Sequence, residues 1–433
     1  MIDIAKLLKL SNGGNIYVAV SGGEDSICLL HSVHSLPNVQ AIHVNHNISP
    51  NSKKWEDFCI EFCNKLQISL NVENVKLSSY CNLEETARNL RYEIFESYLE
   101  QENDILLMAH HLDDLAETVL LNLFSRGSGV TGLAGIPEIR KLGNGILYRP
   151  LLSVYSQEIN TYATKHKLSW VEDDSNSNTI FDRNFIRHEV MPMLKNRWQA
   201  ATINIAKSAQ LCRQASEKIS EQSYIDLLDC LIGEGKILNI NSLKKHSSFQ
   251  QANILRFWIK SLFNLNYPSK DKMDNILELI NFDSEKNTKM LVYISNKLVI
   301  RRHKHFIFAV ATFKYDASNL ETYLLTEFTT SFNFGRLSVK SEMKGSMVNA
   351  EYHVKFRPTI GNKNYIFLNG KYIKLKKILQ EEGIPYWLKD YIPLIYSTDN
   401  ELVAIAIPDK MIISDNHKNQ KNELGYEIKW EFN

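Results

Sequence analysis

Six consecutive residues, Ser21-Gly22-Gly23-Glu24-Asp25-Ser26, carry the most specific chemistry in the chain. They follow the compact β run Ile16-Tyr17-Val18-Ala19-Val20 and precede a segment with Ile27, Leu29 and Leu30 at helical spacing. Adjacent glycines let a backbone approach a polyphosphate closely, and the hydroxyls of Ser21 and Ser26 can donate to phosphate oxygens. A helix start adds free N–H groups and a favourable dipole. Asp25 would repel phosphate unless a divalent cation bridges the two, so it implies Mg²⁺. The alternative is a plain strand–turn–helix connection capped by serine. A Walker loop is excluded, because no G-K-[ST] follows.

Other polar groups fall at comparable places. His110, His111, Asp113 and Asp114 lie just past a second β run, Ile105 to Ala109. Asp114 suits a metal-binding or acidic catalytic role, or else a carboxylate in the first turn of a helix. His110 and His111 can donate to phosphate or to an activated base, although a histidine pair is more often structural. Zinc is not expected, since no cysteine or third histidine joins them at ligand spacing. Arg88 and Arg91 share a helix face and could clamp phosphates or pair with Glu84 and Glu85. Arg183 and Arg187 follow an acidic, polar loop, an arrangement suited to a flap that brings guanidinium groups over a ligand.

These residues need a scaffold, and the pattern supplies one. Strands at 16–20, 40–44 and 105–109 alternate with helices at about 52–66, 84–99 and 116–124, which predicts a parallel sheet covered on both faces. Such sheets bind ligands beyond the carboxyl ends of their strands, where the motifs above fall. Past residue 194 the texture changes to helices over about 198–231, 250–263 and 273–280, then a strand over 290–301. From about residue 332 it is mixed, with strands near 337–339, 393–396 and 402–407 and a helix over 374–382 stopped by Gly383 and Pro385. The expected organisation is α/β: a Rossmann-like catalytic domain over 1–215, a helix-rich domain over 216–325, and a small mixed α/β carboxyl-terminal domain over 332–433.

Composition narrows the class. The chain has 433 residues and a formal net charge of +1, so any nucleic-acid surface must be a local basic patch. No apolar stretch is long enough to cross a bilayer, and the first ten residues read as a short helix rather than a signal peptide. Six cysteines without a C-x-x-C pair point to a reduced, cytoplasmic protein in which Cys59 and Cys63 serve the core.

The hexapeptide at 21–26 resembles the signature of the N-type ATP pyrophosphatases, which cleave ATP between its α and β phosphates and adenylate a substrate oxygen. Further segments resemble the tRNA(Ile)-lysidine synthases within that superfamily. They are His43-Val44-Asn45-His46, the stretch Glu85 to Tyr92, Ala109 to Thr118, Arg126-Gly127-Ser128-Gly129, Arg149-Pro150-Leu151-Leu152, Glu172 to Asn176, and Arg183 to Arg187. Together they cover most of residues 15–195 in the family's order.

The resemblance implies ligation of free L-lysine to C2 of the wobble cytidine in the CAU anticodon of an isoleucine tRNA. ATP adenylates the cytidine oxygen, and the lysine amine then displaces AMP, so that decoding changes from AUG to AUA. Expected roles are catalysis for Asp25, Asp114 and His110, and ATP binding for Ser21, Gly22, Gly23, Glu24, Asp25, Ser26, His43 and Arg88. Mg²⁺ is assigned to Asp25 and Asp114, and the lysine seat or flap to Glu172, Asp173, Arg183 and Arg187.

Lys340, Lys344, Lys355, Arg357, Lys363, Lys371, Lys374, Lys376 and Lys377 interleave with Tyr352, Phe356, Tyr365, Phe367 and Tyr372. That mixture suits phosphate contact and base stacking, or a solvated face over core aromatics. The tRNA contacts expected are Arg126, Lys371, Lys374, Lys376 and Lys377, with no membrane and no obligatory protein partner. The rival readings are a tRNA 2-thiolation enzyme, which needs paired cysteines or an iron–sulfur cluster, an ammonia-dependent amide ligase, and a non-catalytic RNA-binding module.

Overall fold

The computed structural model describes residues 2–47, 49–75, 83–172, 179–233, 235–263, 265, 267–282, 291–296, 298–311, 323–324, 328–332, 335–343, 346–348, 350–356, 364–408, 410–418 and 424–432. It divides into two compact units, residues 1–225 and 226–433.

The first unit opens with α1 (Ile4–Ser11), β1 (Ile16–Ala19), α2 (Glu24–Val33), β2 (Val39–Asn45), α3 (Ser52–Lys65), β3 (Ser69–Asn74) and α4 (Leu83–Tyr98). It continues through β4 (Ile105–Leu107), α5 (Leu112–Phe124), α6 (Val130–Leu133), β5 (Ile139–Leu142), β6 (Gly145–Tyr148) and α7 (Ser156–Lys165). Its sheet has the order β3-β2-β1-β4-β6-β5, parallel throughout except for β5. The chain therefore winds away from β1 in both directions, and β1 and β4 flank the switch point at which such sheets bind ligands.

Strand alternation builds a core on each face. Ile16, Val18, Val20, Ile105 and Leu107 face α2 and α3 together with Cys28, Cys59 and Cys63. Tyr17, Ile42, Leu106 and Met108 pack against Phe95 of α4 and Leu99 just after it. Burial pushes the thiols of Cys28 and Cys59 up to about 12 and that of Cys63 to about 11, as befits apolar packing groups.

Beyond the sheet run α8 (Asp182–Phe185), a π-turn (Ile186–Val190), α9 (Met191–Arg197) and the long α10 (Ala201–Leu228). Ile186 and Met191 bury one side of this stretch against Ala116 and Leu120 of α5.

The second unit contains the expected helices, α12 (Ser248–Phe263) and α13 (Lys270–Asn281), after the short α11 (Ile240–Leu243). It adds a five-stranded antiparallel sheet made from β7 (Leu231–Ile232), β8 (Ile237–Asn239), β9 (Leu291–Tyr293), β10 (Leu298–His303) and β11 (Phe306–Ala311). The single strand expected over 290–301 is thus two, β9 and β10, paired antiparallel. Trp258, fully buried, centres this core and donates to the Gly235 carbonyl at 2.6 Å.

The carboxyl-terminal part has two further antiparallel sheets. One joins β12 (Tyr323–Leu324), β16 (Tyr352–Lys355), β19 (Leu394–Ser397), β20 (Leu402–Ile407) and β21 (Lys410–Ile413). The other joins β13 (Phe328–Phe332), β14 (Gly335–Met343), β15 (Met347–Val348) and β22 (Leu424–Phe432). A separate hairpin, β17 (Tyr365–Leu368) with β18 (Lys371–Lys374), leads into α14 (Leu375–Glu381).

Candidate functional site

A cleft of about 620 Å³ opens at the switch point, lined from β1, β2, β4 and the loops after them. The 21–26 loop forms one wall. Gly22 has a φ of +90°, and a Cβ there would meet Val171 Cγ2 at 2.7 Å, so both backbone and space demand glycine. Ser26 Oγ donates to the Gly23 carbonyl at 2.9 Å and accepts the Ser21 N–H at 3.2 Å, which holds the turn in shape. Gly23 caps α2 without any side-chain bond, leaving the first-turn amides for a ligand.

Two carboxylates of this wall differ in use. Glu24 lines the cleft, but its Oε1 accepts from Asn160 Nδ2 at 2.8 Å. Asp25 lies with Oδ2 3.7 Å from His111 Nε2 and keeps 41% of its side chain exposed. Burial, opposed by His111 and reinforced by Asp114 and Glu24, pushes its carboxyl up to about 6. An anion so poorly accommodated is one that a cation would relieve.

The opposite wall is the start of α5. His111 and Asp114 form a reciprocal cap: the His111 N–H donates to Asp114 Oδ2 at 3.0 Å, and the Asp114 N–H donates to His111 Nδ1 at 3.4 Å. Asp114 Oδ1 accepts from Arg183 at 3.0 Å and Arg187 at 2.7 Å. Glu117, only 3% exposed, accepts two further bonds from Arg187, both at 2.8 Å. Burial alone would raise the Asp114 carboxyl, but His111, Arg183, His110 and Arg187 hold it below its ordinary value. Asp113 turns the other way and is bound by Lys195 Nζ at 2.6 Å and the Ser156 N–H at 3.0 Å.

His110 has a defined tautomer. Arg149 Nε, which can only donate, reaches His110 Nδ1 at 3.2 Å, so the imidazole proton sits on Nε2. Burial, together with Arg149, Arg183 and Arg88 against the opposing Asp114, brings its pKa down to about 3. It is a neutral hydrogen-bond donor on the cleft wall.

The remaining expected residues fall in several places. His43 points away from the cleft and meets the Val20 carbonyl at 2.8 Å, while its strand neighbours Ile42 and Val44 line the wall. Arg88 is exposed, 5.3 Å from the Tyr92 ring, and it is Arg91 on the same helix that lines the cleft. Glu172 lines the cleft with an exposed side chain; Asp173 lies outside the described residues. Arg183 and Arg187 are held on carboxylates as part of a helical run rather than lying free over the cleft.

Arg126 is exposed and donates to Asn122 Oδ1 at 3.2 Å. Lys371, Lys374, Lys376 and Lys377 are exposed on the β17–β18 hairpin and α14, beside Tyr372, 64% exposed. Lys344, Arg357 and Lys363 lie outside the described residues, and Tyr352 and Phe356 are core rather than stacking surface. Phe95, Met108, Trp170 and His188 complete the cleft lining without a sequence signal; their place comes only from the fold.

Among the described residues no cluster of three or more His, Cys, Asp or Glu could hold a metal. The donor set fits an ion carried in by phosphates and touched by Asp25 rather than a resident metal. Nor is any described helix long and apolar enough to cross a membrane.

A PP-loop domain model matches residues 1–194, and a TilS substrate C-terminal domain model matches residues 353–430. A tRNA(Ile)-lysidine synthase of Legionella pneumophila (strain Paris) is 36% identical, over 93% of both chains. One from Coxiella burnetii is 34% identical over 93% of this chain and 91% of the relative. One from Buchnera aphidicola is 33% identical over 95% and 93%.

Proposed function

The chain belongs to the tRNA(Ile)-lysidine synthases, ATP-using tRNA-modifying enzymes of the PP-loop class, and from that premise we propose how its cleft works. The substrates are ATP, free L-lysine and the CAU-anticodon isoleucine tRNA, and the product carries lysine on C2 of the wobble cytidine. The observation that carries this reading is the amide-lined turn at the tip of β1 facing the α5 wall across one cleft.

The triphosphate lies along the 21–26 turn, where Gly22 admits close backbone approach and the α2 amides meet phosphate oxygens. The base of ATP rests on the apolar wall formed by Ile42, Val44, Phe95 and Met108. Asp25, with Asp114 behind it, would hold Mg²⁺, and the ion would neutralise charge on the departing pyrophosphate. The cytidine O2 attacks the α phosphate, the α–β bond breaks, and pyrophosphate leaves. The lysine ε-amine then attacks C2, and AMP departs with the oxygen.

His110 Nε2–H donates to whichever oxygen gains charge, without giving up its proton. Arg183 and Arg187 stay charged on Asp114 and Glu117 and stabilise anionic phosphate at the cleft edge. The exposed carboxylate of Glu172 offers a seat to the lysine cation. On the carboxyl-terminal part, Lys371, Lys374, Lys376 and Lys377 form a phosphate-binding surface.

Sulfur transfer through Cys28, Cys59 or Cys63 is disfavoured, because burial raises these thiols well above the range of a reactive thiolate. Incubation with ATP, labelled lysine and tRNA transcripts bearing CAU anticodons tests the proposal. Label should enter the isoleucine transcript alone, and ATP cleavage without incorporation would refute it.

A further inference from the structure

The helical turn that carries Arg183 and Arg187 is amphipathic in the inverse sense. Its guanidinium groups point inward to Asp114 and Glu117, whereas Phe181 and Phe185 are 50% and 49% exposed. The Phe185 N–H donates to the Phe181 carbonyl at 2.9 Å, one helical step, so the two rings share a face. Alongside them the end of α5 presents Phe124, 68% exposed. The adjacent Ser125 hydroxyl reaches Asp182 Oδ2 at 3.5 Å, which joins the two stretches into one surface. Single exposed apolar residues are ordinary, but three exposed phenyl rings on two stretches joined at Ser125 and Asp182, with the guanidinium groups turned inward, mark a binding face.

We infer that Phe124, Phe181 and Phe185 form a stacking platform for the unpaired anticodon-loop bases that flank the wobble base; this rests on the tRNA-modifying reading above. Continuity with the cleft is the first argument. Arg183, between the two rings in sequence, is bonded to Asp114 on the cleft wall, so the segment that carries the rings abuts the cleft. Charge is the second. Exposed Arg126 follows Phe124 and Ser125 at the end of α5, a cation beside the rings that suits a phosphodiester chain better than an apolar protein segment. Ring faces accept any base, which fits a platform that holds the loop while the cleft reads the cytidine.

The test uses the full chain and an anticodon stem-loop with 2-aminopurine beside the wobble cytidine. Binding should quench the fluorophore through stacking. The double variant Phe181→Leu/Phe185→Leu keeps apolar bulk but no π face, and should lose the quench and bind about tenfold or more weakly. Phe181→Trp/Phe185→Trp should restore both.

Leucine variants with the parent's affinity and quench would overturn the inference. So would a Phe181→Ser/Phe185→Ser protein that loses only lysine incorporation while its stem-loop binding is intact, since the face would then serve something other than RNA. Every variant should keep the parent's ATP-induced rise in Tm, because the rings lie outside the cleft. Where a double variant fails that control, Phe185→Leu alone decides. A parent protein that never incorporates lysine removes the underlying reading; an active parent with equally active leucine variants removes only the platform.

Discussion

Asp25 carries opposing demands. Its carboxyl is raised to about 6, above the ordinary carboxylate value of roughly 4, so the folded state takes up this proton first as pH falls. Ionised Asp25 therefore costs stability at neutral pH, and that cost fades as pH drops through 6. Asp25→Asn should stabilise the ligand-free protein in urea unfolding by no more than about 1 kcal/mol, since solvent screens a side chain 41% exposed. The same change should lower pyrophosphate release at least about a hundredfold. With the parent protein at subsaturating Mg–ATP, release should fall as pH passes below 6. No further inflection should come from His110, which Arg149 and burial keep neutral. A rate that held level from pH 7 to 5 would separate Asp25 from the reaction.

The residue types at 21–26 and 109–114 announced themselves because each hangs directly on a strand end, within a few positions of it. What they touch was not legible. Arg187 lies 70 positions from Glu117, and Arg149 lies 39 from His110; no local pattern records such pairings. Helix placement by periodicity succeeded for α3, α4 and α12, whose apolar stripes are long. It missed the short strands β7 and β8, of two and three residues, because so few positions carry no period.

The pairing that holds α8 and the π-turn onto α5 makes its own test. Arg187→Ala leaves Glu117 buried without its bidentate partner and should cost about 3 kcal/mol of stability in denaturant unfolding. Lysine at that position should recover only part, having no planar fork for two carboxylates. The π-turn sets the phase of this packing. Removing one residue from 186–190 would rotate α9 by about 100° relative to α8, so a single deletion there should do more harm than most substitutions.

Across the whole molecule, charge is nearly balanced, so RNA affinity must come from where cations gather rather than from their number. Replacing Lys371, Lys374, Lys376 and Lys377 together by alanine should weaken tRNA binding. It should also reduce the slope of log affinity against log salt by roughly 1 for each phosphate no longer neutralised. ATP binding, read as the ATP-induced rise in Tm, should be unaltered, and an unchanged slope would place the RNA-binding cations elsewhere.

The central position of β1 and β4 has a consequence for how the protein comes apart. Both strands are paired on each edge within the sheet and lie beneath helices, so the amides of Val18 and Leu107 should be among the last to exchange with deuterated solvent. The loops bearing Asp25 and Asp114 hang from those two strands. Fraying that begins at the sheet margins, β3 and β5, would leave the nucleotide seat standing until the whole first unit opens. The catalytic frame should therefore outlast its surroundings under denaturant, with ATP binding among the last properties to disappear.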